Sequence, residues 1–312
     1  MIGNSLFRVA SLGVAAATAL SLADGGLWAS DLVANLRLHL LIACLLLVGY
    51  WLLERRRAMA ALMVMSLLVN AALTYRALMP LSAPTSDDGA VLRVATINVR
   101  QSNDDVERVQ KYLVDQSVDI VIVQEISARW LEALSALENE YPYQLAEPRV
   151  GNFGIAMLSK RAPSHQAVRH FTAGGIPYIE VTVPVGDVPV TIIGVHLSWP
   201  VMPGSFRARN AQILELSERE FDQSERLVLC GDLNLSIWSD WFDRLLAEGH
   251  FADVDPQVAV ATTWPSFLPW GGLSIDHCLA RPGVAVSARE VGPSIGSDHL
   301  PTAFELTIGP AD

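Results

Sequence analysis

The residues best able to do chemistry in this chain share one address, the end of a short apolar run. Asn98 closes Val-Ala-Thr-Ile, Glu125 follows Ile-Val-Ile-Val-Gln, and His196 closes Thr-Ile-Ile-Gly-Val. Asp232 and Asn234 follow Leu-Val-Leu-Cys-Gly, Asp276 follows Leu-Ser-Ile, and Asp298 and His299 stand in a Gly-Ser-Asp-His-Leu-Pro turn. A carboxylate at the end of a buried strand is costly unless it is paired, hydrogen-bonded or metal-bound. Carboxylate and amide oxygens are hard ligands, suited to Mg2+ or Mn2+ rather than zinc. A histidine supported by an aspartate can hold and move a proton. Singly, each residue has an ordinary reading: a turn-former, an Arg-paired acid, a hydrogen-bonded core histidine, an Asx-turn at Asp232-Leu-Asn234. Gathered at the ends of separate strands they do not, because ligands in open α/β sheets collect where strand ends meet.

The elements that must hold these residues can be read from periodicity. Residues 91–99, 119–125, 154–159, 178–183, 190–196, 227–233, 273–280 and 302–306 are short apolar or β-branched runs that predict strands. Residues 103–118, 128–138, 207–221 and 238–248 have helical spacing. Strands and helices mixed over residues 90–312 predict a layered α/β domain with one or two sheets. Arg100 shares a face with Asn98 if that strand continues, which makes it a candidate phosphate contact. Arg209 and Gln212, three apart on a helix, are read as ties between helix and sheet, and Trp264 as packing. Cys230 and Cys278 each lie two residues from an aspartate of the set. Outside the cytoplasm the two could pair; with nothing in the sequence to set their separation, we read them as two buried thiols.

The first 79 residues differ in kind. Three uncharged stretches, 9–23, 38–53 and 58–75, predict spans at about 6–23, 37–54 and 58–78. A span needs roughly 20 apolar residues, and Arg8, Arg37 and Glu54 at the edges can snorkel. A soluble bundle would show a polar face, which residues 40–53 lack. A cleaved leader would remove only the first stretch. Residues 80–89 (PLSAPTSDDG) read as a linker. Residues 1–85 carry six Arg, no Lys and three acids, a net of +3, and the remaining 16 basic and 30 acidic residues leave the rest at −14. The link at Glu54-Arg-Arg-Arg57 is the positive one and predicts a cytoplasmic side, which puts residues 90–312 outside the cytoplasm.

Taken in order, Ala95-Thr-Ile-Asn98, Asp119-Ile-Val-Ile-Val-Gln-Glu125, Gly154-Ile-Ala-Met-Leu-Ser159, Val195-His196, Gly231-Asp-Leu-Asn234, Ser274-Ile-Asp-His277 and Ser297-Asp-His-Leu-Pro301 resemble the endonuclease/exonuclease/phosphatase superfamily with its DNase I-like fold. The resemblance covers nearly all of residues 90–308. It implies a four-layer α/β sandwich, two packed mixed sheets flanked by helices, and metal-dependent cleavage of phosphate esters. It implies that Glu125 and Asn98 bind Mg2+ or Mn2+ with Asp298 as a second acid nearby. It also implies that His299 is the acid/base oriented by Asp276, that Asp232 positions or activates water, and that Asn234 and His196 hold phosphate oxygens.

Composition then separates substrates. A nuclease draws most of its affinity from Lys and Arg contacts to phosphate, and residues 86–312 are at −14 with Lys111 and Lys160 as the only lysines. DNA is therefore disfavoured, and a bilayer-borne phosphate or lipid-linked pyrophosphate favoured; the resemblance, to membrane-bound bacterial members of the superfamily, implies a multi-pass protein of the cytoplasmic membrane with its hydrolase outside. Two readings stay open beside it: a nuclease of the same superfamily, and a non-catalytic membrane-tethered binding module. Three cysteines in 312 residues exclude a disulfide scaffold and a Cys-built zinc site. A reporter that is active only in the cytoplasm, fused after Ala90, is expected to be silent; an active fusion overturns the orientation.

Overall fold

The computed structural model describes residues 2–23, 25–78, 89–218, 226–252 and 261–309. The linker expected at 80–89 lies almost entirely outside the described residues. Residues 89–309 build two mixed sheets. The first has six strands: β1 (Ala90–Asn98), β2 (Ile120–Gln124), β3 (Tyr143–Glu147), β4 (Ile155–Ser159), β10 (Val284–Val291) and β11 (Thr302–Ile308), in the order β10-β11-β1-β2-β4-β3. The second has five: β5 (His165–His170), β6 (Pro177–Val185), β7 (Val188–His196), β8 (Leu227–Asp232) and β9 (Asp276–Ala280), in sequence order. In each sheet the central pair is parallel, β1 with β2 and β7 with β8.

Alternate residues of these strands form the core between the sheets. Leu92, Val94, Ile120, Ile122, Ile155 and Met157 of the first sheet meet Ile179, Val181, Val190, Ile192 and Val228 of the second. The opposite faces are buried too. Helices α5 (Val106–Gln116) and α6 (Ala128–Ser135) cover Ile97, Val121 and Val123, while α7 (Pro203–Glu218) and α8 (Asp240–Gly249) cover Ile193, Val195 and Leu229. Burial on both faces explains why β2 reads as the unbroken run Ile-Val-Ile-Val rather than as an alternation. The result is the helix–sheet–sheet–helix sandwich.

Four helices precede it: α1 (Ile2–Leu20), α2 (Trp28–Ala34), α3 (Arg37–Leu53) and α4 (Arg57–Leu78). The expectation of three spans is corrected. Among the described residues only α4 is long and apolar enough to cross a membrane, and α2 with α3 make at most one more as a pair bent by 67°. The apolar part of α1, Asn4–Leu20, is too short. The 17 residues of α3 reach about 26 Å, against a hydrocarbon core of about 30 Å. α1 ends at Leu20 and α3 begins at Arg37, as expected for the second span. The segment between them and the first turn of α3 are drawn onto the sandwich: Trp28 Nε1 donates to Pro200 O at 2.9 Å, Trp241 Nε1 donates to Gly25 O at 2.6 Å, and His39 Nε2 meets Gly271 O at 2.7 Å. The bundle buries a small apolar core, Leu47, Trp51, Ala60 and Met63, together with polar links, and it exposes many apolar side chains. Trp51 Nε1 donates to Ser11 Oγ, and Asn70 links Thr18 to Arg37, all buried. Leu6, Leu12, Leu45, Leu46, Met65 and Leu68 are exposed.

Cys230 and Cys278 form a disulfide, which corrects the reading of two free thiols. They are register partners on antiparallel β8 and β9, a relation fixed by sheet pairing across 48 residues of chain. Closing a loop of that size restricts the unfolded chain, worth about 2–5 kcal/mol. Urea unfolding of the full chain, oxidised against dithiothreitol-reduced, is expected to show a loss in that range; coincident curves would show that the bridge contributes nothing.

Candidate active site

The inward parity of the core continues into polar residues at one end of the sandwich. Leu92, Val94 and Thr96 lead to Asn98 on β1; Ile192 and Gly194 lead to His196 on β7; Val228 and Cys230 lead to Asp232 on β8. His196 is the register partner of Asp232, and Asp232 of Asp276, so these three stand in a row across adjacent strands. Gly194 lies just below the row. A Cβ there would come within 2.8 Å of the Ile122 side chain, so the close approach of the two sheets requires glycine.

Across the gap, Asn98 Nδ2 donates to Asp232 Oδ2 at 3.1 Å and to Glu125 Oε1 at 3.2 Å. Glu125 Oε2 accepts from the backbone of Gln101 at 3.1 Å, and Asn98 Oδ1 accepts from that of Arg100 at 3.0 Å. Asp232 Oδ1 takes the Asn234 N–H at 3.0 Å. Three site residues hold left-handed backbone: Glu125 at φ 62°, Asn234 at 48° and Arg100 at 56°. Such residues are uncommon outside glycine and cluster at functional sites. The turn carrying Asp298 and His299 is fastened by Ser297 Oγ, which donates to Asn98 O at 2.6 Å and accepts from His299 N at 3.1 Å.

His299 completes the cluster. Its Nδ1 meets Asp276 Oδ2 at 3.0 Å, and its Nε2 lies 3.6 Å from Asp232 Oδ2; His196 Nε2 lies 3.4 Å from that same oxygen. Burial opposes charge on His299, but Asp276 and Asp232 outweigh it and push its pKa up to about 10. The two acids divide. Burial, reinforced by the charge of Asp276, holds Asp232 above the usual carboxylate range despite His299 and His196. Burial acts on Asp276 as well, but the charge of His299 and hydrogen bonds from His299 and Thr263 hold it below that range. The arrangement is an ionised aspartate supporting an imidazolium beside a second, more basic carboxylate.

The family model described as "Endonuclease/Exonuclease/phosphatase family" matches residues 95–299. The chain belongs to the endonuclease/exonuclease/phosphatase family. No curated protein matches the chain. Solved structures that resemble it include an endonuclease/exonuclease/phosphatase from Beutenbergia cavernae (22% identity, 71% of this chain and 72% of that one, TM-score 0.58). Others are D. rerio TDP2 complexed with a single-stranded DNA product (17% identity, 70% and 99%, TM-score 0.57) and sphingomyelinase C from Streptomyces griseocarneus (20% identity, 69% and 99%, TM-score 0.53). At these identities the likeness is one of fold.

Members of this family typically use divalent metals, and the donor set here suits one. Glu125 is buried, no basic side chain pairs with it among the described residues, and it shares a single neutral amide with Asp232. Asp232, Asp276 and His299 also offer atoms within 4.8 Å of one another. His299 Nδ1 is already engaged with Asp276, however, and an imidazolium repels a cation. Glu125 with the free lone pair of Asn98 Oδ1 is the better cradle.

The structure brings together Asn98, Glu125, His196, Asp232, Asn234, Asp276 and His299. Asp298 stands further out, partly exposed, with Oδ1 3.8 Å from Arg100 Nε. The strand does not continue to Arg100: β1 ends at Asn98, and Arg100 arrives by a left-handed turn. Arg209 Nη1 donates to Asn234 O at 3.3 Å, tying helix to strand end, but it also pairs with Asp31 at 3.1 Å, both fully buried. Gln212 ties to Ser198 and Ala173. Trp264 is partly buried and bridges to Leu273. Sequence reasoning missed Gln101, Thr263 and Ser297 as supports and Asp31 altogether. The first three lie within three residues of a named motif or in the Thr-Thr-Trp-Pro loop; Asp31 has no local signal at all.

One consequence is measurable in the metal-free chain. His277, next to Asp276, is pushed down to about 4 by burial and the charge of Arg289, and gives Nε2 to Leu235 O at 2.8 Å. Ring-nitrogen NMR at neutral pH is therefore expected to show His299 doubly protonated and His277 neutral. His299 adds stability in full below its unfolded pKa of 6.5, and that contribution is lost as pH rises through about 10. Asp276→Asn is expected to lower the His299 pKa; no change would refute the pairing.

Proposed function

We propose that this chain is a membrane-tethered, divalent-cation-dependent phosphoesterase whose substrate carries its phosphate on a lipid. One observation carries the phosphoesterase reading: a proton-transfer set, Asp232 with His299–Asp276, faces a hard-oxygen set, Glu125 and Asn98, across the strand ends of a family whose members are phosphoesterases and nucleases. A divalent cation held by Glu125 and Asn98, with Asp298 on the solvent side, would neutralise phosphoryl oxygens and the departing oxygen. Asp232, raised towards basicity, takes the proton of the attacking water. As the new P–O bond forms and the old one breaks, His299 gives its Nε2 proton to the leaving oxygen, and Asp276 keeps the ring in place through Nδ1. Asn234 spends one amide proton on Leu197 O and keeps the other for a phosphoryl oxygen. His196 stands beside Asp232, and its buried Nδ1 has no hydrogen-bond partner among the described residues.

The tether is supported by the bundle's apolar exterior and by α4, of whose most apolar stretch only 28% is buried, unlike a soluble core helix. Asp31 and Arg76 meet the sandwich at one end of the bundle, whereas Arg55, Arg56 and Arg57 lie at the turn between α3 and α4. The positive-inside rule then puts the Arg turn in the cytoplasm and the sandwich outside. The Cys230–Cys278 disulfide favours the same oxidising side. The charge of −14 on residues 86–312 weighs against DNA, although a fold neighbour is complexed with a DNA product.

Purified full chain with Mg2+ is expected to hydrolyse phospholipid or polyprenyl pyrophosphate in mixed micelles and to leave DNA uncut. Asp232→Asn and His299→Gln should each lower the rate by about 10²–10⁴-fold with unchanged circular dichroism, and chelation should abolish it. Rapid DNA cleavage with inert lipids would overturn the substrate class, and near-wild-type rates in either variant the roles.

A further inference from the structure

Exposed large apolar side chains on the sandwich are concentrated in one place. Among the described residues from 89 onward nine are exposed, and five of them lie in two loops: Trp199 (54%) and Met202 after β7, and Phe267 (81%), Leu268 and Trp270 (97%) in the segment before β9. Single exposed apolar residues need no explanation, but a cluster does.

Both loops belong to the mouth of the site. Trp199 is three residues past His196. Ser266 N donates to Asp298 O at 2.7 Å, and Ser266 Oγ donates to Ser297 O at 2.7 Å. Both loops are also fastened to the segment that leads into the helical bundle. Trp28 holds the first through Pro200 O, and His39, in the first turn of α3, holds the second through Gly271 O. Exposed Ile42, Leu45 and Leu46 follow on α3, about 5–10 Å further along its axis. The apolar exterior of α3 therefore runs on into the loops, and tryptophan is the residue enriched where a bilayer meets water.

We propose that these two loops form a rim seated on the surface of the bilayer, so that the site opens onto the lipid layer and takes an amphiphilic phosphate from it without release into water. The proposal rests on the tethered reading above and adds to it which face of the sandwich meets the lipid. It assigns Phe267 and Trp270 the role of anchoring the mouth, with no part in the chemistry.

The test uses the full chain in phosphatidylcholine vesicles. An environment-sensitive fluorophore is placed through Trp270→Cys, Leu45→Cys or Val114→Cys, each with Cys44→Ser, and a quencher is carried on the lipid chains. The labels at 45 and 270 are expected to be quenched and the label at 114, on α5, to stay in water. Quenching at 45 but not at 270 overturns the rim and leaves the tether standing. No quenching at either position overturns the tether and the rim with it. A label at 270 that is shielded without quenching marks a second copy of the chain as the occupant and overturns the bilayer assignment. In parallel, Phe267→Ser with Trp270→Ser should lower kcat/KM on a vesicle-borne phosphate ester about ten- to a hundredfold and leave the rate on soluble bis(p-nitrophenyl) phosphate unchanged. Equal loss on both substrates refutes the anchoring role.

Discussion

The structure is organised around two buried carboxylates that face each other as register partners, Asp232 on β8 and Asp276 on β9. Like charges directly opposite on adjacent strands repel, and burial removes the water that would screen them. Everything near them answers that cost. His299 sits against both and takes a proton well above its ordinary range. Asn98 reaches across from the other sheet, the Asn234 N–H donates to Asp232 Oδ1, and Thr263 Oγ1 accepts from the Asp276 backbone. One inner-face row below, Cys230 and Cys278 clamp the same two strands. The same assembled negative charge that makes the pair costly is what favours the proton on His299.

The N-terminal helices are part of this construction and not an appendage to it. Asp31 and Arg209 form an ion pair that solvent does not reach, and the same guanidinium holds the carbonyl of Asn234. Burial lowers the Arg209 pKa while Asp31 counters it. A buried pair of this kind says little about net stability, since each ion has lost its water, but removal of one partner leaves the other charge stranded. Ser236 and Ser239 in the stretch after β8 bond to Asn35 and Asp31. The segment between α1 and α3 is thereby fixed against the strand-end loops.

The strands most easily read from sequence were those buried on both faces. β1, β2, β4, β7 and β8 announce themselves as apolar runs because neither face meets water. The strands missed were β3, β5 and β10, all at sheet edges. Their residues are half exposed, as in the intermediate row Tyr143–Glu147 and the polar His165–His170, so no period stands out. The short α2 was missed for a related cause: its seven residues are set by docking and carry no amphipathic repeat.

By itself the sequence determined the two-part character of the chain, the layered α/β class, and which polar residues end the buried strands. Those are local properties: an apolar run must be buried, and a polar residue closing it must lie at the core's rim. Only the tertiary structure decided which of those residues face one another. It set Asp232 between His196 and Asp276 through strand register, brought Arg100 in by a left-handed turn, joined Cys230 to Cys278 across 48 residues, and placed Asp31 against Arg209. Each of these joins positions distant in sequence or depends on a turn's backbone, and neither leaves a trace in local composition. What a strand end contains is written along the chain; what it meets is set by sheet order and by the packing of one sheet on the other.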